Sequence, residues 1–95
     1  MSVLTVDGSL EPKGHEQLTS IESPAALSPP SGARLALIQA TGENIRWRDD
    51  GTDPTSATGI QLEAGNDFWY VGNLASIRLI EESSGAAVNV AYYAG

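Results

Sequence analysis

The stretch NIRWRDDGTDPTSAT (residues 44–58) joins a β-strand pattern to a densely charged turn. Ile45 and Trp47 fall on one side and two arginines on the other, which is the alternation of a half-buried strand. The Asp-Asp-Gly sequence that follows indicates a turn, because aspartate side chains bond nearby backbone amides and glycine accepts a positive φ. Pro54 fixes its own φ and keeps Asp53 out of helical conformation. The stretch therefore predicts a strand, an ordered polar loop and the approach to a second strand.

Further strand patterns lie on both sides of this stretch, separated by turn signals. From residue 33 onward there are six short runs in all, at 33–41, 45–48, 59–64, 68–71, 74–81 and 86–94. The last run alternates, with one side formed by Val88, Val90 and Tyr92 and the other by Asn89, Ala91 and Tyr93. Such spacing is typical of an antiparallel β-sandwich or a small barrel. We read the first run as a strand buried on both faces, and residues 41–44 as a hairpin turn into the next strand. The predicted fold class is all-β, an antiparallel, jelly-roll-like sandwich.

The first third of the chain has a different character. Residues 2–6 and 17–22 have β propensity, whereas residues 9–16 show no periodicity and indicate a loop or arm. Residues 23–32 contain three prolines, which remove backbone donors and fix φ, so they indicate a connector. Counting the two short runs gives eight strands, the number in a jelly roll.

We therefore divide the chain into two parts. Residues 1–32 form an N-terminal arm or edge strands with a proline-rich connector, and residues 33–95 form the sandwich body. Whether the first part belongs to the body or reaches out from it is left open by the sequence.

Composition limits the classes of function. The chain has 95 residues, no cysteine, a formal net charge of −7 and a pI of about 4.3. One domain of this size buries a modest core and cannot be reinforced by disulfides, so association with copies of itself or with a partner is expected. The arginines form no basic stripe for nucleic acid, and no apolar run is long enough for a membrane span. The N-terminus lacks a signal-peptide pattern, so synthesis and assembly in the cytoplasm are expected.

Several motifs together resemble a known family. They are RWRDDGTDPT (residues 46–55), G-I-x-L-x-A-G (59–65), the aromatic run at 68–70, SIRLI (76–80) and NVAYY (89–93). In this order they resemble small virion structural proteins of tailed bacteriophages, over the chain from residue 33 to its end. The decapeptide is the most specific part of the resemblance.

The resemblance implies a capsid decoration (cement) protein on the outer shell, or a neck or tail adaptor or fibre-base component. It implies location in the virion, self-association with a trimer favoured, and the major capsid protein or another virion protein as partner. Neither nucleic acid nor a membrane is an expected partner.

The charged side chains of the opening stretch are the first candidates for an interface. They are Arg46, Arg48, Asp49, Asp50 and Asp53. Arginine and carboxylate groups form bidentate pairs, which could lock one subunit to another across a symmetry axis. The alternative is that the same groups pair within one chain or face water. A calcium loop is not indicated, because an EF-hand pattern counted from Asp49 places a proline at its sixth position.

The aromatic residues are the second set of candidates. We expect Trp47, Phe68 and Tyr70 in the core, because large aromatic side chains dominate small cores. Trp69 is then the exposed or interfacial aromatic, and it could serve a carbohydrate-binding module instead. Tyr93 is added because tyrosines are enriched at interfaces.

No catalytic, cofactor-binding or metal-ligating residue is predicted. The chain has a single histidine and lacks a cysteine nucleophile, a serine elbow and a glycine-rich phosphate loop. The sequence therefore predicts a protein that is not an enzyme and uses no cofactor.

Overall fold

The structure, a computed structural model, describes residues 10–95, which form eight β-strands and no helix. The strands are β1 (Glu11–Thr19), β2 (Ala25–Ala26), β3 (Leu35–Thr41), β4 (Ile45–Arg48), β5 (Ile60–Leu62), β6 (Asp67–Val71), β7 (Arg78–Glu81) and β8 (Ala87–Ala94). All six strands predicted after residue 33 are present. The predicted β-prone piece at residues 2–6 lies outside the described residues. Within residues 10–95 no helix could cross a membrane.

The strands form two antiparallel four-stranded sheets. Sheet A has the order β1-β8-β3-β6, and sheet B has the order β2-β7-β4-β5. The first strand pairs with the eighth, the second with the seventh, the third with the sixth and the fourth with the fifth. The chain is thus one long hairpin rolled up into two sheets, which is the jelly-roll topology. The prediction of an antiparallel, jelly-roll-like sandwich is confirmed.

The core lies between the two sheets and comes from alternate residues of each strand. The largest fully buried side chains are Tyr92, Ile38, Ile45, Ile77, Leu79, Val88, Val90 and Pro54. In β8 the predicted alternation holds, because Val88, Val90 and Tyr92 point inward and their chain neighbours are half-buried. The prediction that β3 is buried on both faces is wrong. Its outward residues Leu37 and Gln39 are half-buried, since each sheet of a sandwich covers the other on one side only.

The predicted hairpin at residues 41–44 is wrong, because β3 lies in sheet A and β4 in sheet B. This turn crosses between the sheets and presses against the turn between β7 and β8. A β-carbon added to Gly42, whose φ is 82°, would lie 2.3 Å from the carbonyl oxygen of Gly85. A sheet-to-sheet crossing and a hairpin use the same turn residues, so sequence could not separate them.

The prediction of a loop at residues 9–16 is also wrong for the described residues from 11 onward, and the β-prone run at 17–22 supplies the end of the same strand, as far as Thr19. β1 runs along β8 for nine residues, with one register shift between Pro12 and Gly14. The apolar alternation is missing because the inward side chains include a carboxylate. Glu16 accepts hydrogen bonds from the hydroxyl of Tyr92 and, at 2.7 Å, from the backbone amide of Ser28. The predicted connector at 23–32 contains the two-residue strand β2, and β1 and β2 are edge strands of their sheets.

Candidate functional site

The seven predicted interface residues fall on two separate surfaces. Five of them, Arg46, Arg48, Asp49, Asp50 and Asp53, lie on β4 or on the charged loop, defined as residues 49–59. The other two, Trp69 on β6 and Tyr93 on β8, lie on the outer face of sheet A.

Arg48 and Asp50 form a bidentate pair within the chain. Nε of Arg48 donates to Oδ1 of Asp50 at 3.1 Å, and Nη2 donates to Oδ2 at 2.5 Å. The amide of Thr52 also donates to Oδ1 at 3.3 Å. The hydrogen bonds from Arg48, followed by the one from Thr52, lower the pKa of Asp50 to about 2. The pair therefore closes the start of the charged loop on itself.

Arg46 is held by sheet B. Its Nε donates to Oε2 of Glu82 at 2.6 Å, and its Nη1 donates to the carbonyl oxygen of Gly59 at 3.1 Å. Glu82 also accepts hydrogen bonds from Gln61 at 2.8 Å and from Asn44 at 3.4 Å. These bonds, with that from Gln61 the largest cause and that from Arg46 next, lower the pKa of Glu82. Gly59 immediately precedes β5 and Glu82 immediately follows β7, so this guanidinium ties β4 to both of its neighbouring strands in sheet B.

Asp49 connects the charged loop to sheet A. The hydroxyl of Tyr70 on β6 donates to Oδ2 of Asp49 at 2.8 Å. Burial, and then the bond to Asp49, raise the pKa of Tyr70 to about 12. The far end of the loop is fixed differently, since Pro54 is buried and Thr55 and Thr58 bridge each other. The predicted ordered polar loop is confirmed in this form.

Four of the five charged candidates therefore have partners in their own chain, and Asp53 is exposed. This matches the alternative in which the charges stiffen one chain. The intersubunit lock stays a prediction, and the arginines could take part in it only by sharing or exchanging these partners.

A row of polar side chains crosses the outer face of sheet A. Strand register aligns Gln17, Asn89, Gln39 and Asp67 on four neighbouring strands. Nε2 of Gln17 donates to Oδ1 of Asn89 at 2.9 Å, and Nδ2 of Asn89 donates to Oε1 of Gln39 at 3.2 Å. We call these four residues the amide row. Such cross-strand pairs fix the register of a sheet and leave the outer hydrogen-bonding atoms for solvent or a ligand.

The next row of the same face is largely apolar. It contains His15, Ala91, Leu37 and Trp69 in register. The small side chain of Ala91 leaves a shallow depression between this row and the amide row. His15, in the segment that the sequence predicted to be a loop or arm, is exposed here on β1.

An aromatic pair marks the β6 side of the face. The rings of Trp69 and Tyr93 have centroids 5.4 Å apart and are tilted by 51°. Trp69 is 36% exposed and its neighbour Val71 is 46% exposed. The structure thus brings together the two aromatic candidates that lie 24 positions apart in sequence (93 − 69). We call Trp69, Tyr93 and Val71 the aromatic patch.

The other four aromatics face the core, Tyr92 among them as a fully buried side chain. Trp47 stacks on Phe68 at 5.0 Å between centroids and meets the edge of Tyr70 at 5.9 Å. Tyr70 is buried, and the other two pack partly buried against the core. The predicted division into core aromatics and an exposed Trp69 is confirmed.

Sequence reasoning missed the amide row and Val71. The alternation in β8 already placed Asn89, Ala91 and Tyr93 outward, which was a usable signal. The partners of Asn89 were not visible, because Gln17 and Gln39 lie 72 and 50 positions away along the chain. Within residues 10–95 no three histidine, aspartate or glutamate side chains gather as a set that could hold a metal ion.

Comparison with protein-family models, with curated proteins and with solved structures finds no match for this chain. The fold, the two surfaces and the sequence motifs are therefore the features from which a function is inferred.

Proposed function

We propose that this chain is a structural protein of a tailed-bacteriophage virion, and that it decorates the outer capsid shell and stabilises it by protein–protein contact. The observation that carries the proposal is the aromatic patch on the outer face of sheet A. The motifs in residues 46–93 that resemble tailed-phage virion proteins suggest a phage particle as its location. The jelly-roll fold, which also occurs in viral capsid domains, is consistent with that location.

The aromatic patch suits contact with another protein surface. The solvent face of an antiparallel sheet is ordinarily polar, whereas this one exposes Trp69 and Val71 and carries Leu37 between them and β8. Tyrosine and tryptophan are enriched at the centre of interfaces, and a polar rim commonly surrounds them. The amide row provides such a rim along one margin. The protein acts by binding, and it performs no reaction.

Stabilisation by decoration is additive. Each copy contributes a modest contact, and many copies repeat it over the shell. Because the protein binds the assembled shell, its binding shifts the equilibrium toward assembly and stabilises the shell. The charged loop, already fixed by its own hydrogen bonds, presents a rigid surface and loses little conformational entropy on binding.

The test mixes purified protein with undecorated phage shells. Binding should raise the temperature at which the shells disrupt, and Trp69→Ala and Tyr93→Ala should weaken binding at least about tenfold, as interface aromatics do on truncation. Ile60→Ala is the matched control, because Ile60 is 58% exposed on sheet B, away from the patch. Failure of the unaltered protein to bind shells would remove the decoration proposal.

Copy number separates decoration from a neck or tail adaptor or a fibre-base protein. Quantitative mass spectrometry of virions should find hundreds of copies per particle for a decoration protein, and only a few for the adaptor.

A carbohydrate-binding module is the second candidate, because the amide row runs beside the exposed Trp69. Sugar rings stack on aromatic faces, and amides bond their hydroxyl groups. Host polysaccharide should then change the fluorescence of Trp69, and Trp69→Phe should remove the change. If polysaccharide left the fluorescence unchanged and the protein bound nothing on a glycan array, the carbohydrate-binding function would be excluded.

A further inference from the structure

The two edges of sheet A differ in how they are protected. An edge strand exposes unpaired N–H and C=O groups, and natural proteins guard it with proline, lysine, bulges or charges. β1 carries Pro12 and Lys13 and has a register shift between Pro12 and Gly14. β6 reads Asp-Phe-Trp-Tyr-Val, with neither proline nor lysine, and pairs with β3 in unbroken register. Apart from the charge of Asp67 at its first residue, the β6 edge carries none of these guards and is open to another strand.

The outward backbone groups of β6 belong to three alternate residues. The amide of Ala40 donates to the carbonyl of Asn66 at 3.1 Å, so the backbone groups of Ala40 face the β6 side of β3. Because alternate residues of a strand turn their backbone groups to the same side, Ala36 and Ile38 face β6 as well, and their register partners Tyr70 and Phe68 bond to β3. The backbone groups of Asp67, Trp69 and Val71 then point away from β3. They make no other backbone hydrogen bond within the part of the chain that the structure describes.

Side chains leave this edge accessible. Asp67, Trp69 and Val71 are all exposed. The ring of Trp69 leans over β3 toward Tyr93 on β8, with 5.4 Å between ring centroids, so it does not project across the edge.

We propose that β6 pairs with β6 of a second copy of this chain, antiparallel and about a two-fold axis at Trp69. This inference rests on the edge geometry and is independent of the proposed function. The axis is set by the backbone, since the outward groups of Asp67, Trp69 and Val71 are centred on Trp69. Each copy would bond Trp69 to Trp69 and Asp67 to Val71, and sheet A would continue as one sheet of eight strands.

The charge distribution fits this register. The pairing sets Asp67 opposite Val71 of the other copy, so no two carboxylates face each other across the junction. Like charges directly opposite would destabilise the pair. The net charge of −7 on each chain still opposes approach. Association should therefore strengthen as salt rises from about 0.01 M to about 0.15 M, where the screening length falls from about 30 Å to about 8 Å.

The test is sedimentation equilibrium of the full chain over a range of concentrations. The unaltered protein should show a monomer–dimer equilibrium that tightens with salt. Val71→Glu places a carboxylate opposite Asp67 of the second copy and should weaken the dimer by about threefold to tenfold, because symmetry repeats the repulsion twice. Val71→Lys, the matched variant of opposite charge, should leave the dimer as tight or tighter.

A second variant tests whether Val71→Glu weakens the dimer by charge repulsion and not by a general loss of apolar surface. The double variant Asp67→Lys/Val71→Glu restores opposite charges across the axis and should recover the dimer that Val71→Glu loses. Circular dichroism verifies that each variant is folded, which is expected because Val71 is 46% exposed. A wild-type protein that is monomeric at every concentration, or that forms only trimers, would overturn the inference. Equal weakening by Val71→Glu and Val71→Lys would overturn it too.

Discussion

The hydroxyl of Tyr70 donates a hydrogen bond to Oδ2 of Asp49 over 2.8 Å and so links β6 of sheet A to the charged loop that follows β4 of sheet B. The Tyr70 ring is buried beside Trp47, whereas Asp49 is exposed. One side chain thus belongs to the core and also holds the loop in place. The charged loop follows a strand of sheet B and the aromatic patch lies on sheet A, so this bond helps to fix the position of one candidate surface relative to the other.

Tyr70→Phe should lower the free energy of unfolding by about 1 kcal/mol, since it removes this hydrogen bond and keeps the ring. Urea unfolding followed by tryptophan fluorescence measures the loss. Asp49→Ala provides the other side of a double-mutant cycle, and the double variant should cost less than the sum of the two single variants. Strict additivity would show that the bond contributes nothing in solution.

Alkaline pH should destabilise the fold through two tyrosines. Burial first, and then a carboxylate partner in each case, raise the pKa of Tyr70 to about 12 and also raise the pKa of Tyr92. A folded-state pKa above the unfolded value of about 10 means that the stabilisation is complete below pH 10 and is lost as pH rises through the folded pKa. Unfolding by urea should therefore need less denaturant at pH 11 than at pH 9.

Absorbance of tyrosinate supplies a direct measure of this behaviour. Two of the three tyrosines should ionise late in the folded protein and near pH 10 in urea. Tyr70→Phe should remove one of the late steps. Ionisation of all three tyrosines near pH 10 in the folded protein would contradict the prediction.

Acid should weaken the charged loop over a defined range. Asp50 has a pKa of about 2 in the folded chain because of its hydrogen bonds with Arg48 and Thr52. A depressed pKa stabilises the fold above the unfolded value near 4, and this contribution disappears as pH falls toward 2. Asp50→Asn should thus lose less stability than the wild type between pH 4 and pH 2, as measured by urea midpoints.

Asp53→Asn is the matched control for this experiment. It removes the same charge from the same loop and leaves the Arg48–Asp50 pair intact. Its acid profile should follow that of the wild type, and a flattened profile like that of Asp50→Asn would mean that net charge, and not the pair, governs the response.

Gly42→Ala should be strongly destabilising, by about 2 kcal/mol or more. The backbone has a φ of 82°, which already costs an alanine about 1–2 kcal/mol. In addition, the new β-carbon would lie 2.3 Å from the carbonyl oxygen of Gly85, a backbone atom that cannot swing aside. Thermal or urea unfolding gives the magnitude.

Gly51→Ala separates the two causes. Gly51 has a similar φ of 88°, and a β-carbon there would meet nothing within 4 Å. This variant should show the backbone cost alone, about 1–2 kcal/mol. Equal losses in the two variants would show that the contact between the Gly42 and Gly85 turns is not close in solution.

Much of the body was predictable because local rules act within each strand. The alternation of β8 separated Val88, Val90 and Tyr92 from its other face correctly, since successive side chains of a strand point to opposite faces of the sheet. The charged loop was also predictable, because Pro54 and the aspartates favour the same turn without help from distant residues. The first part of β1, residues 11–16, was missed since its inward Glu16 is satisfied by Tyr92, a partner 76 positions along the chain.

By itself the sequence determined the all-β class, the strands after residue 33, the ordered charged loop and the division of the aromatics between core and surface. These features follow from side-chain period and turn chemistry, which operate over a few neighbouring residues. Only the tertiary structure decided which strands lie side by side, and therefore which side chains share a surface. The amide row, the Trp69–Tyr93 pair and the unguarded edge of β6 arise from pairings between distant strands. The free energy of those pairings depends on the whole sandwich, because each strand is held in register by a neighbouring strand that the local sequence does not specify.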